Sequence, residues 1–223
     1  KCLSLIINHC KPFSGRDNRI RLVAATDMSV MIFGENGTGK EHIAHHLHDK
    51  SKRAGKPFVA VDCGSLTKEL APSAFFGHVK GAFTGADSTK KGYFYEAEGG
   101  TLFLDEVGNL ALETQQMLLR AIQERRYRPI GDKSDRSFNV RIIAATNEDL
   151  EAAVSEKRFR QDLFYRLHDF GITVPPLRDC QEDILPLAEF FREIANKELE
   201  CNVSGFSSEA RKALLTHAWP GNV

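Results

Sequence analysis

The sequence predicts an α/β fold in which helices cover both faces of a parallel β-sheet, followed by a small all-helical domain. Short apolar runs alternate with helix-like stretches, as expected for strands buried on both faces of a parallel sheet. Pro175 and Pro176 cannot continue a strand ladder, so we divide the chain into an α/β domain at 1–174 and a helical domain at 175–223. The apolar runs are residues 30–33, 58–61, 101–104, 140–145 and, more weakly, 170–174.

Helical patterns fall between and after these runs. Residues 42–50 and 112–123 have helical composition, and residues 184–200 and 207–217 continue it in the second domain, where Ser207 or Ser208 would be the N-cap. The side chains expected to pack these helices are Leu112, Met117, Leu119 and Ile122 in 112–123, and Leu187, Phe190, Phe191 and Ile194 in 184–200.

Composition indicates an ordinary globular protein. The 223 residues are 42% hydrophobic and carry 30 basic and 30 acidic side chains, and this balance argues against a stand-alone nucleic-acid coat. The most apolar N-terminal run, residues 3–7, is far shorter than the ~18 residues that span a bilayer, so we expect no membrane contact. Five scattered cysteines favour a reducing cytoplasm. Since the first residue is Lys1, we expect a piece of a longer protein.

A glycine-rich segment after the first predicted strand has the pattern of a phosphate-binding P-loop. Its glycines let backbone N–H groups converge on phosphate oxygens, and the lysine reaches the β- and γ-phosphates. The next residue is usually a Ser or Thr that binds Mg²⁺ and is Glu41 here, so a glycine-rich turn without a ligand is the alternative. The segment consists of Gly34, Glu35, Asn36, Gly37, Thr38, Gly39 and Lys40.

Two carboxylates follow the strand at 101–104. Ligands of open α/β sheets bind at the carboxyl ends of strands, and a buried strand that ends in two charges suggests a cation or a substrate there. Asp105 fits a Mg²⁺-associated acid, and Glu106 fits the base that orients an attacking water. The alternative is a pair of acids that caps a helix.

Four further polar side chains are candidates for catalysis. Thr146 and Asn147 leave the end of another predicted strand, where they could contact a γ-phosphate or form an ordinary turn. Arg160 and Arg166 follow downstream. Most arginines are solvated surface charges, but nucleotide hydrolysis often uses an arginine supplied in trans.

Seven motifs in order resemble the AAA+ ATPase domain of bacterial sigma-54-dependent transcriptional activators. GAFTGA is close to diagnostic of that family, in which Glu41 after the P-loop lysine is also typical. The motifs are GENGTGKE at 34–41, GAFTGA at 81–86, GGTLFLDEVG at 99–108, VRIIAATN at 140–147, FRQDLFYRL at 159–167, PPLR at 175–178 and WPGNV at 219–223.

The resemblance implies an AAA+ P-loop NTPase with a helical lid, assembled into a ring that is usually hexameric and binds ATP and Mg²⁺ between subunits. Lys40 would bind phosphate and Asp105 Mg²⁺, while Glu106 would activate water. Asn147, with Thr146, resembles sensor I, and the trans arginine fingers would be Arg160 and Arg166.

The GAFTGA segment resembles the loop that contacts sigma-54 in RNA polymerase holoenzyme and drives promoter opening. Phe83 and Thr84 are the expected contact residues, and the small residues Gly81, Ala82, Gly85 and Ala86 would let the loop move. A second pore-side loop would lie at 127–139. The alternative is a glycine-rich surface loop with an incidental phenylalanine.

Several positions depart from the family pattern. Asp62 stands where an asparagine usually restrains the Walker B glutamate, and an ionised carboxylate cannot donate that hydrogen bond. Asn8 falls near a usual glycine beside adenine, and Cys180 replaces a commonly basic residue. The chain stops at Val223, just before the family's sensor II arginine.

Three functional hypotheses follow. The first is a Mg²⁺-dependent ATPase that remodels the sigma-54 holoenzyme in the bacterial cytoplasm, with DNA read only by a domain absent from this chain. The second is a nucleotide-binding regulatory assembly module with little turnover, which Asp62 would permit. The third is another AAA+ remodeller such as a helicase loader.

Overall fold

The structure, a computed structural model, describes residues 20–223. The expectations for Asn8 and for residues 3–7 therefore lie outside the described residues. A helical segment at 20–24 precedes the first strand. No helix among residues 20–223 is long and apolar enough to cross a membrane.

The central sheet has five parallel strands, as predicted. In chain order the five are β1 (Val30–Phe33), β2 (Phe58–Asp62), β3 (Thr101–Asp105), β6 (Arg141–Thr146) and β7 (Phe170–Thr173), and their spatial order is β2-β3-β6-β1-β7. A separate two-stranded antiparallel pair is formed by β4 (Arg126–Tyr127) and β5 (Arg136–Ser137). Each predicted strand lies within one residue of the observed bounds, while the short antiparallel pair was not predicted.

The helices cover both sheet faces and form a separate group after residue 175. They are α1 (Lys40–Asp49), α2 (Ala71–Phe76), α3 (Tyr93–Glu96), α4 (Leu112–Glu124), α5 (Leu150–Ser155), α6 (Gln161–Leu167), α7 (Gln181–Glu198) and α8 (Ser208–Thr216). The N-cap of α8 is Ser207, whose hydroxyl accepts a hydrogen bond from the Ala210 N–H at 3.2 Å.

Two packing predictions were wrong. Leu112 is 46% exposed because it lies at the first position of α4, and Leu118 is the fully buried leucine of that helix. Phe191 is also 46% exposed, whereas Leu187 on the same helix is buried. In both cases the helical periodicity gave a candidate apolar face but did not show which positions of that face have a neighbouring element to pack against.

Alternating side chains of each strand build two apolar cores, one on each face of the sheet. Leu102 and Leu104 pack into one core, and Phe103 between them packs into the other. A third, smaller cluster holds the helical lid together around Ile184 and Leu187. The sheet is therefore buried on both faces, and because its strands are parallel, their carboxyl ends lie along one edge.

Candidate nucleotide-binding cleft

The P-loop connects β1 to the N-terminus of α1. Gly37 (φ 75°) and Gly39 (φ 83°) both adopt the left-handed backbone conformation that favours glycine, and Gly39 is the N-cap of α1. Lys40 is the first residue of the helix. This geometry leaves the N–H groups of the helix N-terminus facing an adjacent cleft, as an anion site requires.

The ammonium of Lys40 is held by the loop itself. Its Nζ donates hydrogen bonds to the carbonyl oxygens of Gly34 at 3.0 Å and of Glu35 at 3.1 Å. Burial lowers the pKa of Lys40, and the charges of Asp105 and Glu106 partly oppose that shift. The three charged groups therefore lie close enough to interact electrostatically.

Asp105 and Glu106 lie at the carboxyl end of β3. Asp105 Oδ1 accepts the Glu106 N–H at 3.0 Å, and Glu106 has a left-handed backbone with φ of 52°. The Glu106 carboxylate is fixed by a residue that sequence reasoning missed, since Asn109 Nδ2 donates to its Oε2 at 2.9 Å. A short 3₁₀-helix at Val107–Asn109 brings that amide back to the glutamate.

Asp62 ends the neighbouring strand and is paired in register with Asp105. Its Oδ1 accepts the Gly64 N–H at 2.9 Å. Gly64 lies where these groups converge, because a Cβ there would be 2.6 Å from Glu106 Oε2 and 3.1 Å from Asn109 Nδ2. Asp62 therefore caps its own turn, and the amide that reaches Glu106 comes from Asn109.

A cleft of about 470 Å³ brings the P-loop, the end of β3 and the lid together. Its residues from the α/β domain are Asn36, Gly37, Thr38, Gly39, Lys40, Glu41, His42, Asp105, Glu106 and Val174, and those that follow are Pro175, Leu177, Cys180, Asp183, Leu187, Asn222 and Val223. Among residues 20–223 no group of three or more His, Cys, Asp or Glu side chains is arranged to hold a metal ion. Asp105 in the lining is the kind of carboxylate that holds Mg²⁺ together with substrate phosphates.

The lid is fastened to the P-loop by polar contacts. Arg178 donates to both carboxylate oxygens of Glu35, and this hydrogen bonding, with a further one from Asn222, lowers the pKa of Glu35 to about 2. The buried Asn222 also donates to the Asn36 carbonyl at 2.8 Å and accepts the Leu177 N–H at 2.8 Å. Asn222 thus joins the P-loop to the start of the lid.

The WPGNV segment closes one side of the cleft by direct backbone contact. A Cβ at Gly37 would lie 2.1 Å from the Gly221 carbonyl oxygen, so only glycine permits this approach. The Val223 N–H donates to the Gly37 carbonyl at 3.2 Å. At the other end of the segment, Trp219 Nε1 donates to the Leu214 carbonyl at 2.9 Å and anchors it to α8.

The other predicted catalytic residues lie outside the lining of this cleft. Asn147 borders a neighbouring hollow that also contains Gly34, Glu35 and Thr146. Arg160 is the N-cap of α6, and its side chain pairs with Asp162 at 2.8 Å. Arg166 is exposed on the same helix and makes no ion pair with any residue of the described range 20–223. The structure therefore groups the P-loop with Asp105 and Glu106 and leaves both arginines on the outer surface.

The GAFTGA segment forms a compact turn with an exposed tip. The Gly81 N–H donates to the Ala86 carbonyl at 2.8 Å, and the Ala86 N–H donates to the Phe83 carbonyl at 3.0 Å. Gly81 and Gly85 have positive φ angles of 81° and 96°. Thr84 and Gly85 are exposed, Phe83 is 43% exposed, and Ala86 is buried.

The base of this turn rests on the segment at 127–139, the predicted second pore-side loop. The Val79 N–H donates to the Ile130 carbonyl at 3.1 Å, and a Cβ at Gly131 would lie 2.8 Å from Ala82 Cβ. His78 holds the Phe83 ring edge-on, with centroids 5.0 Å apart. The two loops thus form one surface feature.

Comparison with known proteins identifies the family. Residues 6–173 match the sigma-54 interaction domain, and residues 178–223 match an AAA+ ATPase lid domain. The chain is 50% identical over 206 residues to the transcriptional regulatory protein ZraR of Klebsiella oxytoca, covering 92% of this chain and 46% of that protein. It is 47% identical over 204 residues to the sigma-54-dependent transcriptional activator SfnR of Pseudomonas putida, covering 92% and 56%.

A solved structure agrees with the sequence comparison. NtrX from Brucella abortus in complex with ATP is 34% identical and superposes with a TM-score of 0.87, covering 96% of this chain and 48% of that chain. The chain spans about half the length of the curated relatives it matches. The resemblance read from the motifs is confirmed: this chain belongs to the sigma-54 interaction domain family, the AAA+ ATPase domain of sigma-54-dependent transcriptional regulators.

Proposed function

We propose that this chain is a Mg²⁺-dependent ATPase that remodels the sigma-54 RNA polymerase holoenzyme. The observation that carries the proposal is the single cleft shared by the P-loop, Asp105 and Glu106. Lys40 would exchange its two carbonyl partners for phosphate oxygens, and Asp105 would hold Mg²⁺, which neutralises charge on the phosphates. Glu106 would orient the attacking water and accept its proton.

Phosphate release tests the hydrolytic part. We expect Glu106→Gln to retain ATP binding and to lose nearly all turnover, because the amide cannot accept the proton. Glu113→Gln is a matched control, since Glu113 is exposed on α4 and pairs with Lys68 away from the cleft. Equal turnover in the parent chain and in Glu106→Gln would remove Glu106 from the mechanism.

The proposal includes assembly into a ring, in which Arg160 and Arg166 of one subunit act on the nucleotide of its neighbour. Arg160 and Arg166 are exposed or half-exposed and lie outside the cleft of their own chain, which suits arginines that reach a neighbouring subunit. Asn147 would sense the γ-phosphate from the adjacent hollow. We expect a hexameric ring, and therefore turnover per subunit that rises with protein concentration. Turnover independent of concentration would contradict catalysis across an interface.

The exposed GAFTGA turn is proposed as the sigma-54 contact. Thr84→Ala is expected to keep ATP hydrolysis and to lose capture of purified sigma-54, because Thr84 is exposed at the tip and lies away from the cleft. Thr216→Ala, in the lid, is the matched control. Retained sigma-54 capture by Thr84→Ala would count against this surface, while loss of hydrolysis would show that the turn also supports the cleft.

One observation favours the second candidate, a nucleotide-binding module with little turnover. The Asp62 carboxylate caps Gly64 and offers no amide to Glu106. Tight ATP binding without phosphate release at any protein concentration would support that function. Measurable turnover that disappears in Glu106→Gln would exclude it.

A further inference from the structure

Gln115 is a buried carboxamide in the interior of helix α4. Its side chain is completely shielded from solvent, on a helix whose other buried positions are mostly apolar. A polar group in such a place is costly unless its donors and acceptors are satisfied. Its hydrogen bonds therefore show which parts of the chain it fixes.

These bonds join two segments that belong to different parts of the proposed mechanism. Gln115 Nε2 donates to the carbonyl of Leu110 at 2.7 Å and to that of Arg158 at 3.0 Å. Its Oε1 accepts the backbone N–H of Arg160 at 2.8 Å. Leu110 ends the turn that begins at Glu106, and Arg160 is the proposed finger. One side chain thus bridges the catalytic turn and the finger segment, using both amide hydrogens.

The segment that carries Arg160 is also held just before the finger, where the N–H groups of Arg158 and Phe159 bond to the Ala153 carbonyl at 2.9 Å and 3.1 Å and the Phe159 side chain is buried in the core. It links α5 to α6 and includes Lys157 with a left-handed backbone (φ 58°). The Arg160 side chain is oriented by Asp162, with contacts of 3.0 Å and 2.8 Å, but Asp162 belongs to the same short helix and moves with it. Gln115, 45 residues away along the chain, ties the Arg160 backbone to the sheet-bound core.

We propose that Gln115 is a positioning residue that fixes the backbone of Arg160 relative to the Glu106 turn, so that the finger is presented to the neighbouring subunit. The inference rests on the proposed trans role of Arg160. Its consequence is specific, because loss of Gln115 would damage the site of the neighbouring subunit more than the site of its own.

Assemblies that mix two variants test whether loss of Gln115 damages the site of the neighbouring subunit. Gln115→Met keeps the side-chain volume and removes all three hydrogen bonds, and we expect turnover to fall about 10- to 100-fold, as for an Å-scale misplacement of a catalytic group. Glu106→Gln subunits are inactive but carry intact fingers. In an equal mixture, turnover should recover to about a quarter of the parental rate, because half of the subunits keep Glu106 and half of those meet an intact finger.

A control pair separates the two proposals. Arg160→Ala mixed with Glu106→Gln should recover in the same way, and failure of that pair would refute the trans role itself. Recovery of the Arg160→Ala mixture without recovery of the Gln115→Met mixture would place the Gln115 defect in its own cleft and overturn the inference. Equal turnover of Gln115→Met and the parent would also overturn it.

Amide exchange measured by NMR tests the backbone claim without any turnover. The Arg160 N–H should exchange at least about tenfold faster in Gln115→Met than in the parent, because its acceptor is gone. The Phe164 N–H, which bonds to the Arg160 carbonyl within α6, is the internal reference. If Gln115→Met does not fold, Gln115→Asn, one methylene too short to reach both segments, takes its place in both experiments. Unchanged exchange at Arg160 would refute the proposal.

Discussion

The contact between Gly37 and the WPGNV segment makes a quantitative prediction about what holds the cleft closed. Alanine at 37 adopts a left-handed backbone (φ 75°) at a cost of roughly 1–2 kcal/mol, and alanine at Gly39 (φ 83°) has the same cost. Only at 37 does the new Cβ meet another part of the chain, the Gly221 carbonyl oxygen at 2.1 Å, while at 39 nothing lies within 4 Å. Gly39→Ala is therefore a control for backbone strain.

The added methyl group must displace the last residues from the P-loop. The displaced segment would lose the Val223 N–H bond to Gly37 at 3.2 Å and the Asn222 bond to Asn36 at 2.8 Å. At about 0.5–1.5 kcal/mol for each hydrogen bond, Gly37→Ala should lose about 1–3 kcal/mol more free energy of unfolding than Gly39→Ala.

Urea unfolding without nucleotide measures both variants against the parent. Amide exchange at Val223 should also accelerate in Gly37→Ala and not in Gly39→Ala. Equal destabilisation by the two substitutions, with unchanged exchange at Val223, would refute the claim that this segment is seated on the P-loop.

Two further predictions concern charge. Asn109→Asp replaces the amide that holds Glu106 by a second carboxylate, so we expect kcat to fall about tenfold or more while the affinity for ATP stays unchanged. Adding Asp62→Asn to the same chain should restore part of kcat, because it supplies an amide nearby. An unchanged kcat in Asn109→Asp would show that Asn109 is dispensable. Burial lowers the pKa of His48, so the folded state binds fewer protons than the unfolded state, and the free energy of unfolding should fall as pH drops from about 7 to about 5. In His48→Gln that slope should be smaller in urea titrations, and an identical slope would assign it to other groups.

The sheet was predictable because each strand is a short apolar run bounded by turn residues. Strands buried on both faces need such runs, and few other structures accommodate them. The exposure of Leu112 and Phe191 was not predictable, since periodicity gives the apolar face of a helix but not which positions of that face are covered by a neighbouring element. The β4–β5 pair was not predicted because strands of two residues are too short to show an alternating pattern.

Within the cleft, the sequence identified the groups that stand in short local motifs. Lys40, Asp105 and Glu106 belong to two motifs, each of which covers one strand and the turn that follows it. The structure brings all three residues into the lining of one cleft. Asn222 and Arg178 were not identified as cleft-closing residues, because their partners in the P-loop lie more than 140 residues away in the sequence. A single asparagine or arginine forms no sequence pattern that predicts such a long-range contact.

Glu106 has an amide partner in Asn109, although the adjacent strand ends in the carboxylate of Asp62. A hydrogen bond from an amide stabilises an ionised carboxylate when the donor lies within reach of the carboxylate oxygens. The turn after β3 is tight, with Glu106 in a left-handed conformation and Asn109 three residues later, so the chain returns to its own glutamate. Glu106 therefore has a hydrogen-bond donor within its own turn and does not depend on the residue that ends the adjacent strand.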